Sequence, residues 1–301
     1  MPYHFTLIIP HKNVPDLLQR CIKSLPERND MQVVIVDDNS DPEQVDFANF
    51  PGLGAPNIQV IFTKENLGAG YARNRALEVA EGKWLLFADA DDYFNTKALH
   101  QMLNDCKDVT ADIIYLKNEC IDAVTKEHLN QDKLVEQYEE ESKRLGSESP
   151  LRYKTYAPWT KMVKRSLVCE HQITFDQEPA SNDVWFSIQV GHYAKSIQVY
   201  DTPVYTRTVR QGSLQYSLVA QNLLRRIAVG YKTNKFLKEQ GQIAFYNETW
   251  GFFMNLRKIS WWLFLKTLPG YFYNTPWLAL KKNIRDWIYK NNMLWLQATL
   301  L

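Results

Sequence analysis

Short apolar runs recur through the first 120 residues and alternate with stretches of helical periodicity, and this alternation constrains the fold more than any other feature. Leu99, Met102, Leu103 and Cys106 follow the 3.6-residue spacing of a helix behind a cap signal at Asn95. Apolar strands separated by amphipathic helices predict an α/β protein with a mostly parallel central sheet flanked by helices. The apolar runs are FTLII at 5–9, VVIV at 33–36, IQVIF at 58–62, WLLF at 84–87 and DIIYL at 112–116.

Polar stretches follow the first four of these strands. They read PHKN, DDNS, KENLGAGYARNRA and ADADD, at 10–13, 37–40, 64–76 and 88–92. Ligands of open parallel sheets bind beyond the carboxyl ends of the strands, where these stretches fall. We therefore expect the functional residues to meet at one edge of the sheet.

Asp89, Asp91 and Asp92 crowd three carboxylates behind the buried strand WLLF. An isolated D-x-D is more often a turn or a helix cap, in which the carboxylates accept backbone N–H groups. Hard oxygen ligands also suit Mg²⁺ or Mn²⁺, which take one or two protein carboxylates and complete their coordination with water and substrate phosphates. The cluster is thus a candidate clamp for a metal-bound diphosphate.

Two further stretches offer ligand contacts. In DDNS, Asp37 is expected to be structural, whereas Asp38 serves either the turn or a hydrogen bond to a nucleobase or ribose. In NLGAGYARNRAL, Gly68 and Gly70 permit close backbone approach, and Arg73 lies at a helix start that suits phosphate. The segment is neither a Walker A loop nor a G-x-G-x-x-G fingerprint.

The order and approximate spacing of several motifs resemble the family 2 glycosyltransferases, which are inverting enzymes of the GT-A fold. The likeness covers about residues 4–215, and the conjunction of motifs is specific although each motif alone is not. The motifs are IIPHKN, VVIVDDNS, NLGAGYARNRAL, FADADD, APWTKMVKRSL, SNDVWFS and VYTRTVRQGS.

The resemblance implies a role for individual positions. Asp183 in SNDVWF corresponds to the family's general base, Asp91 to the ligand of a Mn²⁺ or Mg²⁺ ion, and Asp89 to the aspartate facing the ribose. Without the resemblance, Asp183 would be read as the N-cap of the helix that begins VWFSIQV. The donor-binding set implied is Pro10, His11, Asn13, Asp38, Asn66, Gly68, Arg73, Asp89 and Ala90. Further candidates are Asp92 beside the metal, Trp159 and Lys161 beneath the acceptor, Asn182, and Arg207 or Arg210 toward the diphosphate.

Two positions depart from the family pattern. The family commonly has an aromatic residue where Lys12 stands, so stacking on the base is not expected from that position. Asn182 replaces the usual acid before the base. Asp183 is therefore expected to carry proton abstraction alone.

The function expected is transfer of a sugar from a nucleoside diphosphate donor, with a UDP-sugar as first choice, to a hydroxyl of a glycan or lipid-linked acceptor. Asp183 would deprotonate that hydroxyl, and the anomeric configuration would invert. One alternative is a non-catalytic protein that binds nucleotide sugars or glycans. Another is a sugar-nucleotide nucleotidyltransferase, but PHKNVPDLL lacks the glycine-rich basic loop that such enzymes carry after the first strand.

The chain is expected to have two parts, a catalytic GT-A domain over 1–215 and a helical, Trp-rich, basic region over 216–301. Residues 251–301 hold seven basic residues and one acid, Asp286, although the net charge of the whole chain is +1. The near-neutral net charge and the lack of a recognisable nucleic-acid-binding module argue against nucleic acid as a partner. Six of the nine tryptophans lie at 250, 261, 262, 277, 287 and 295.

These tryptophans are consistent with two structures. They can form the core of a small helical domain, or they can lie at a bilayer surface with the interleaved cations toward anionic lipid. Four scattered cysteines suggest reduced thiols, and no apolar window reaches the length of a membrane span. We expect a cytoplasmic protein, either free or at the inner face of the cell membrane. The polar stretch from Asp122 to Glu148 predicts an exposed helix or a mobile insertion.

Overall fold

The structure is a computed structural model that describes residues 3–131, 133–209, 219–247, 249–275 and 280–281. The chain divides into two compact units, Met1–Gln215 and Tyr216–Leu301. Each unit is described by itself.

Over its described residues, the first unit contains a sheet of eight strands and seven α-helices. All five predicted strands are present, and the helix predicted behind Asn95 is also confirmed, because the Asn95 side chain accepts the Ala98 N–H. The strands are β1 Phe5–His11, β2 Met31–Asp37, β3 Ile58–Phe62, β4 Trp84–Phe87, β5 Tyr93–Phe94, β6 Ile113–Asp122, β7 Lys161–Lys164 and β8 Ile197–Val209. The helices are α1 Pro15–Lys23, α2 Ala69–Val79, α3 Thr96–Cys106, α4 Leu134–Leu145, α5 Ser149–Lys154, α6 Arg165–Glu170 and α7 Asn182–Tyr193.

The strand order is β3-β2-β1-β4-β7-β6-β8-β5. The block from β3 to β4 is parallel throughout, as the alternation of strands and helices predicts. Beyond it the sheet is mixed, since β7 runs antiparallel to both β4 and β6, while β6 and β8 are parallel. The α/β class with a helix-flanked sheet is confirmed, and the parallel arrangement belongs mainly to its first half.

Both faces of the parallel block are buried. Along β1, Leu7 and Ile9 enter one core cluster, whereas Ile8, between them, enters the other. Successive side chains of a strand point to opposite faces, so a strand buried on both sides needs an unbroken apolar run. Because helices cover both faces, the accessible polar groups of this block are those at the strand ends.

The polar segment after β6 contains the exposed helix that was predicted. Within α4, Val135 is the buried residue, and the other residues are partly or fully exposed. Its last turn carries Lys143 and Arg144, and Gly146 ends it in the left-handed conformation.

The second unit is helical over its described residues, with α8 Ala220–Glu239, α9 Trp250–Ile259 and α10 Trp261–Asn274. Leu223 and Ile227 of α8 are buried as their spacing predicts, together with Phe253, Leu256 and Tyr271. Val219, the third member of that spacing, is instead the exposed residue just before α8. No helix within the described part of the chain has both the length and the apolar character needed to cross a bilayer. Trp277, Trp287 and Trp295 lie outside the described residues.

Candidate active site at the strand ends

The turn after β2 is organised by Asp37. Its carboxylate accepts the His11 Nδ1–H at 2.7 Å, the Ser40 N–H at 2.9 Å and the Ser40 hydroxyl at 2.5 Å. His11 Nε2 accepts the Val14 N–H at 3.1 Å, so the ring is the neutral tautomer protonated at Nδ1. Burial opposes ionisation of Asp37, but these hydrogen bonds outweigh it and lower its pKa. Asp37 is structural, as expected.

Asp38 lies one residue further and is also buried. One oxygen accepts the Leu67 N–H at 2.9 Å and the other accepts the Gly68 N–H at 2.8 Å. Burial raises the pKa of this carboxyl, and the Gly68 hydrogen bond and the Lys12 charge oppose that rise. Asp38 therefore shapes the loop before α2. Contact with a nucleobase stays a prediction for this residue.

Lys12, in the loop after β1, contacts the loops after β2 and β3. Its ammonium donates to the Asp38 carbonyl oxygen at 3.1 Å and to the Asn66 side-chain oxygen. Asn13 and Asn66 both adopt positive φ angles of 55° and 53°, which asparagine tolerates better than most residues. The cation that replaces the family's aromatic residue is thus a crosslink between the β1 and β3 loops. Pro10, the remaining member of this predicted group, is buried at the end of β1.

Gly70 allows α2 to approach the segment before α7. A Cβ at this position would lie 1.9 Å from the Asp176 carbonyl oxygen and 2.9 Å from the Asn182 Cβ. No side chain fits at such distances, so the close approach predicted for this glycine is confirmed, and its neighbour is protein backbone. Asn74 strengthens the contact, since its side chain exchanges two hydrogen bonds with the Phe175 backbone at 2.9 and 2.8 Å.

Arg73 joins the aspartates after β4 to the start of α7. Its guanidinium donates to Asp89 Oδ1 at 2.7 Å and to Asn182 Oδ1 at 3.0 Å. The side chain is buried and lies over the Phe175 ring, 5.4 Å from the centroid. Burial raises the pKa of Asp89, Arg73 opposes the rise, and the charges of Asp91 and Asp183 add to it. The carboxylates of Asp91 and Asp183 therefore lie near that of Asp89, which Arg73 holds.

Asp183 is the second residue of α7 and lies in its first turn. Ser181 precedes the helix, so the N-cap interpretation of Asp183 is wrong. Burial raises the pKa of the Asp183 carboxyl, and the Arg73 and Lys161 charges offset part of the rise. A raised pKa is common among carboxylates that act as general bases near neutral pH, and the role of Asp183 as base stays a prediction.

Asp91 and Asp92 occupy different surroundings although they are adjacent. Asp91 is half-buried in the turn after β4. Asp92 is buried, and its carboxylate accepts the Tyr205 hydroxyl and the Thr208 N–H, both at 2.7 Å. Burial and the charges of Asp89 and Asp91 raise the pKa of Asp92 well above its usual range. Asp92 therefore fastens the turn to β8.

Two residues that the sequence analysis did not single out hold this turn. Tyr205 on β8 donates to Asp92, accepts the Asp89 N–H at 3.0 Å, and stacks on Trp159 with centroids 5.1 Å apart. Arg20 on α1 donates to the Asp91 carbonyl oxygen and to the Thr208 hydroxyl at 3.2 Å. No local signal marks either residue, because their partners are far away in sequence.

A metal ligand set built from the chain alone is not present among the described residues, where no group of three or more His, Cys, Asp or Glu side chains converges. Mg²⁺ and Mn²⁺ commonly take one or two protein carboxylates and fill the remaining positions with water and phosphate. The carboxylates of Asp89 and Asp91, which repel each other, are chemically suited to such a hard cation.

Lys161 is buried at the start of β7. Its ammonium donates to the carbonyl oxygens of Thr155 and Ala157 at 2.8 and 2.9 Å, and to the Ser187 hydroxyl at 3.0 Å. Ser187 belongs to α7, so this lysine ties the helix of Asp183 to the segment before β7. Burial lowers the pKa of Lys161 to about 7.

Replacing Lys161 with methionine should remove a pH dependence of stability. The pKa of this lysine is about 7 when folded, against an ordinary 10.5, so the unfolded chain binds more protons between these values. Wild-type stability therefore gains from this residue as pH rises from 7 to 10. The variant lacks that gain and loses the hydrogen bonds, so we expect it to be less stable by about 1–3 kcal/mol at pH 10, and this deficit should shrink or change sign as pH falls to 7.

Chemical denaturation across this pH range measures the free energy of unfolding of both proteins. The other titrating groups are the same in both, so their contributions cancel in the difference. Lys97→Met, at an exposed position on α3, is the matched control and should show a flat, near-zero difference. A deficit for Lys161→Met that does not change with pH would contradict the assignment of a buried, titrating ammonium.

Three predicted site residues remain, namely Ala90, Arg207 and Arg210. Ala90 is buried in the turn after β4, and Arg207 lies on β8 opposite Cys120 of β6. Arg210 lies outside the described residues. The structure thus brings together the loops after β1, β2, β3 and β4 with the start of α7.

The parallel block is covered by helices, and aspartates gather near an arginine at the carboxyl ends of its strands. This is the position at which α/β proteins bind their ligands. The model of the family described as glycosyl transferase family 2 matches residues 6–169. The chain belongs to this family, and it is therefore a glycosyltransferase.

Relatives agree with this assignment. EpsH of Bacillus subtilis (strain 168), which carries the name of a glycosyltransferase, is 24% identical over 250 residues, covering 81% of this chain and 72% of EpsH. The poly(ribitol-phosphate) beta-glucosyltransferase of Bacillus spizizenii is 30% identical over 206 residues. That match covers 64% of this chain but 30% of the relative, so it concerns a part of a much longer protein.

Solved structures show the same fold. S. aureus TarS 1-349 in complex with UDP-GlcNAc aligns with a TM-score of 0.60 and 21% sequence identity. The alignment covers 84% of this chain and 70% of the TarS chain. At this identity the likeness concerns the fold, and it agrees with the expected GT-A arrangement.

Proposed function

We propose that this protein transfers a sugar from a nucleoside diphosphate donor, a UDP-sugar, to a hydroxyl of a glycan or lipid-linked saccharide, either in the cytoplasm or at the inner face of the cell membrane. The observation that carries the proposal is the Arg73 guanidinium, which is 2.7 Å from Asp89 and 3.0 Å from Asn182. This contact supports the proposal, because Asp89 is expected at the donor and Asn182 directly precedes Asp183, the expected base. EpsH, a glycosyltransferase by name, and the poly(ribitol-phosphate) beta-glucosyltransferase support a sugar transfer of this kind.

The donor would lie over the strand ends. The loops after β1, β2 and β3 would receive the nucleoside, with Pro10, His11, Asn13 and Asp38 along its base and ribose. The backbone around Asn66 and Gly68 would follow the ribose and phosphates. These loops are crosslinked by Lys12 and Asp38, so the surface they offer is preorganised. The UDP-GlcNAc bound by TarS supports a nucleoside diphosphate sugar as ligand.

Asp183 would act on the acceptor. Its carboxylate takes the proton of the acceptor hydroxyl while that oxygen bonds to the anomeric carbon, and the bond from this carbon to the diphosphate oxygen breaks. Attack from the face opposite the leaving group inverts the anomeric configuration. The raised pKa of Asp183 makes it a stronger base than an ordinary aspartate. Arg73 keeps this helix start and Asp89 at a fixed separation, so acceptor and donor meet in line.

A divalent ion, Mn²⁺ or Mg²⁺, would supply charge neutralisation for the departing nucleoside diphosphate. Asp91 would be its principal protein ligand, with Asp89 beside it. Asp92 would contribute through position, because its two carboxylate oxygens already accept from Tyr205 and Thr208. Of the two arginines expected near the diphosphate, Arg207 lies on β8 and would reach it, whereas Arg210 is outside the described residues.

A nucleotide-sugar screen tests the proposal. The chain is incubated with UDP-, GDP- and dTDP-sugars, with and without Mn²⁺, and both thermal unfolding and donor hydrolysis are measured. A bound donor at about one hundred times its dissociation constant stabilises the folded form by about 2.7 kcal/mol, so the melting temperature should rise by several degrees. We expect a UDP-sugar with Mn²⁺ to stabilise the protein and to be hydrolysed slowly. The free sugar should show neither effect.

The alternatives give different results in the same screen. Stabilisation without any metal-dependent turnover would identify a binding protein and overturn transfer. Release of pyrophosphate from a nucleoside triphosphate and a sugar phosphate would identify a nucleotidyltransferase. No response to any nucleoside diphosphate sugar would remove the proposal altogether.

A further inference from the structure

Helix α10 of the second unit is apolar on both its inner and its outer side. Phe264, Leu268 and Tyr271 pack against the core of this unit. We call the other side the outer face, and it consists of Trp261, Trp262, Leu265, Lys266, Phe272 and Tyr273. The exposed fractions of its apolar members are 61, 66, 57, 52 and 91% for Trp261, Trp262, Leu265, Phe272 and Tyr273.

These residues share one side because of their spacing. Positions 261, 262, 265, 266, 272 and 273 are related by steps that return to the same side of a 3.6-residue helix, about 140° wide. A helix at the surface of a water-soluble protein normally carries polar residues on that side, whereas a helix apolar all round belongs in a core or in lipid. The outer face is therefore an interaction surface.

The length of α10 limits what it can do in lipid. Its 14 residues span about 21 Å, which is shorter than the roughly 30 Å of a bilayer core. A helix of this length with large aromatic side chains on one side can lie in the plane of the bilayer surface, with its rings at the depth of the headgroups.

The charges around the outer face have one sign. Arg257, Lys258 and Lys266 are the charged residues between 249 and 275, and this segment contains no Asp or Glu. Arg257 lies over the Trp261 ring at 5.5 Å from the centroid, and Lys266 lies over Trp262 at 4.9 Å. Each cation is therefore held beside a ring that would enter the headgroup layer. Anionic lipid complements this pattern, whereas a typical protein interface is depleted in lysine.

A basic cavity meets one end of the outer face at Tyr273. Its volume is about 400 Å³, and it lies between α8 and the end of α10. Lys235 and Lys238 line it, no acidic side chain does so among the described residues, and the remaining lining residues are Tyr231, Asn234, Tyr246, Tyr273 and Asn274. Two ammonium groups and three tyrosines suit a phosphate-bearing headgroup, so the cationic character of the outer face continues into a recess.

We propose that the outer face of α10 binds an anionic bilayer surface, with its aromatic side chains at headgroup depth and with Lys266 and the neighbouring Arg257 of α9 toward lipid phosphates. Binding holds the enzyme at the membrane, and it requires neither nucleotide sugar nor metal. It can therefore fail while sugar transfer is retained, and the reverse also holds.

Vesicle flotation of the full chain tests this proposal. Vesicles of phosphatidylcholine alone are compared with vesicles that also contain phosphatidylglycerol, at low and high salt. We expect flotation with phosphatidylglycerol that weakens at high salt, because salt screens the attraction of exposed charges. Trp261→Gln combined with Trp262→Gln should reduce the partition coefficient about tenfold or more. Lys266→Glu should reduce it about tenfold, because it removes one attraction and adds one repulsion.

Two matched controls lie in the first unit. Leu145→Gln changes an exposed apolar side chain on α4, and Lys97→Glu reverses an exposed charge on α3. Both should float like the wild type. All variants should keep the wild-type melting temperature, because the side chains changed are exposed.

Three results would overturn the proposal. One is a chain that stays at the bottom of the gradient with phosphatidylglycerol vesicles at low salt. Another is equal binding to both vesicle types that is unaffected by Lys266→Glu. The third is a dimer in light scattering, without lipid, that dissociates when Trp261 and Trp262 are replaced, since the outer face would then be an interface between two copies.

Discussion

Replacing Asp183 with asparagine is expected to lower kcat for sugar transfer about a thousandfold. General base catalysis contributes about 10²–10⁴-fold, and asparagine cannot accept the proton of the acceptor hydroxyl. The side chain keeps its size, and Arg73 keeps its bonds to Asp89 and Asn182, so the donor loops should be unchanged. Stabilisation by donor and Mn²⁺ should persist in thermal unfolding while transfer is lost.

The pH profile gives a second readout for the same residue. A base must be deprotonated to act, so activity rises with pH through its pKa. Burial raises the pKa of Asp183 above that of an ordinary aspartate, and the acid limb of the wild-type profile should lie correspondingly higher. The residual activity of Asp183→Asn should lack this limb.

Asp16→Asn is the matched control, because Asp16 is also an acid in the first turn of a helix and is exposed on α1. Both variants lose the favourable interaction of an anion with a helix N-terminus, which is worth about 0.3–1 kcal/mol. Full transfer by Asp183→Asn, or an equal loss in both variants, would remove Asp183 from the role of base.

Replacing Asp91 with asparagine should have the second large effect, a loss of metal-dependent donor turnover by about a thousandfold. A divalent ion at a departing diphosphate is worth several kcal/mol. Asparagine lacks the negative charge that holds it. The Asp91 backbone carbonyl still accepts from Arg20, so the turn itself should survive. Titration of Mn²⁺ in the presence of UDP, followed by the electron paramagnetic resonance signal of the free ion, measures the affinity directly.

Two comparisons separate charge from architecture. Asp108→Asn removes an exposed carboxylate after α3 and should leave both affinity and turnover unchanged. Asp92→Asn disturbs the bonds to Tyr205 and Thr208 and should lower the melting temperature more than Asp91→Asn does. Unchanged Mn²⁺ affinity and turnover in Asp91→Asn would show that the ion, if one binds, is held elsewhere.

The parallel half of the sheet could be predicted from the sequence because its strands are locally recognisable. β1 and β2 are buried on both faces and therefore carry unbroken apolar runs. β7 and β8 carried no such signal. β7 reads KMVK, and β8 contains charged residues and a proline. They become strands through pairing with β4 and β6, and such long-range pairing leaves little trace in local composition.

Within the site, the types of residue were predictable but their partners were not. The alternatives for Asp38 and the role of Lys12 could not be decided from neighbouring residues. The Asp38 side chain bonds to a residue 30 positions away, and the Lys12 side chain bonds to one 54 positions away. Asp92 was placed beside the metal, yet its oxygens are bonded to residues 113 and 116 positions further along. Arg73 was expected near phosphate, and the structure shows it holding Asp89 and Asn182.

The sequence by itself determined the alternation of strands and helices in the parallel block of the first unit, the edge at which polar residues gather, and the family to which these motifs point. Hydrophobic periodicity and turn chemistry are local properties, so they can be read along the chain. Only the tertiary structure decided which carboxylates share a guanidinium, which one is fastened to β8, and which side of α10 faces outward. These depend on contacts between residues far apart in sequence, where burial and hydrogen bonding fix both charge and position.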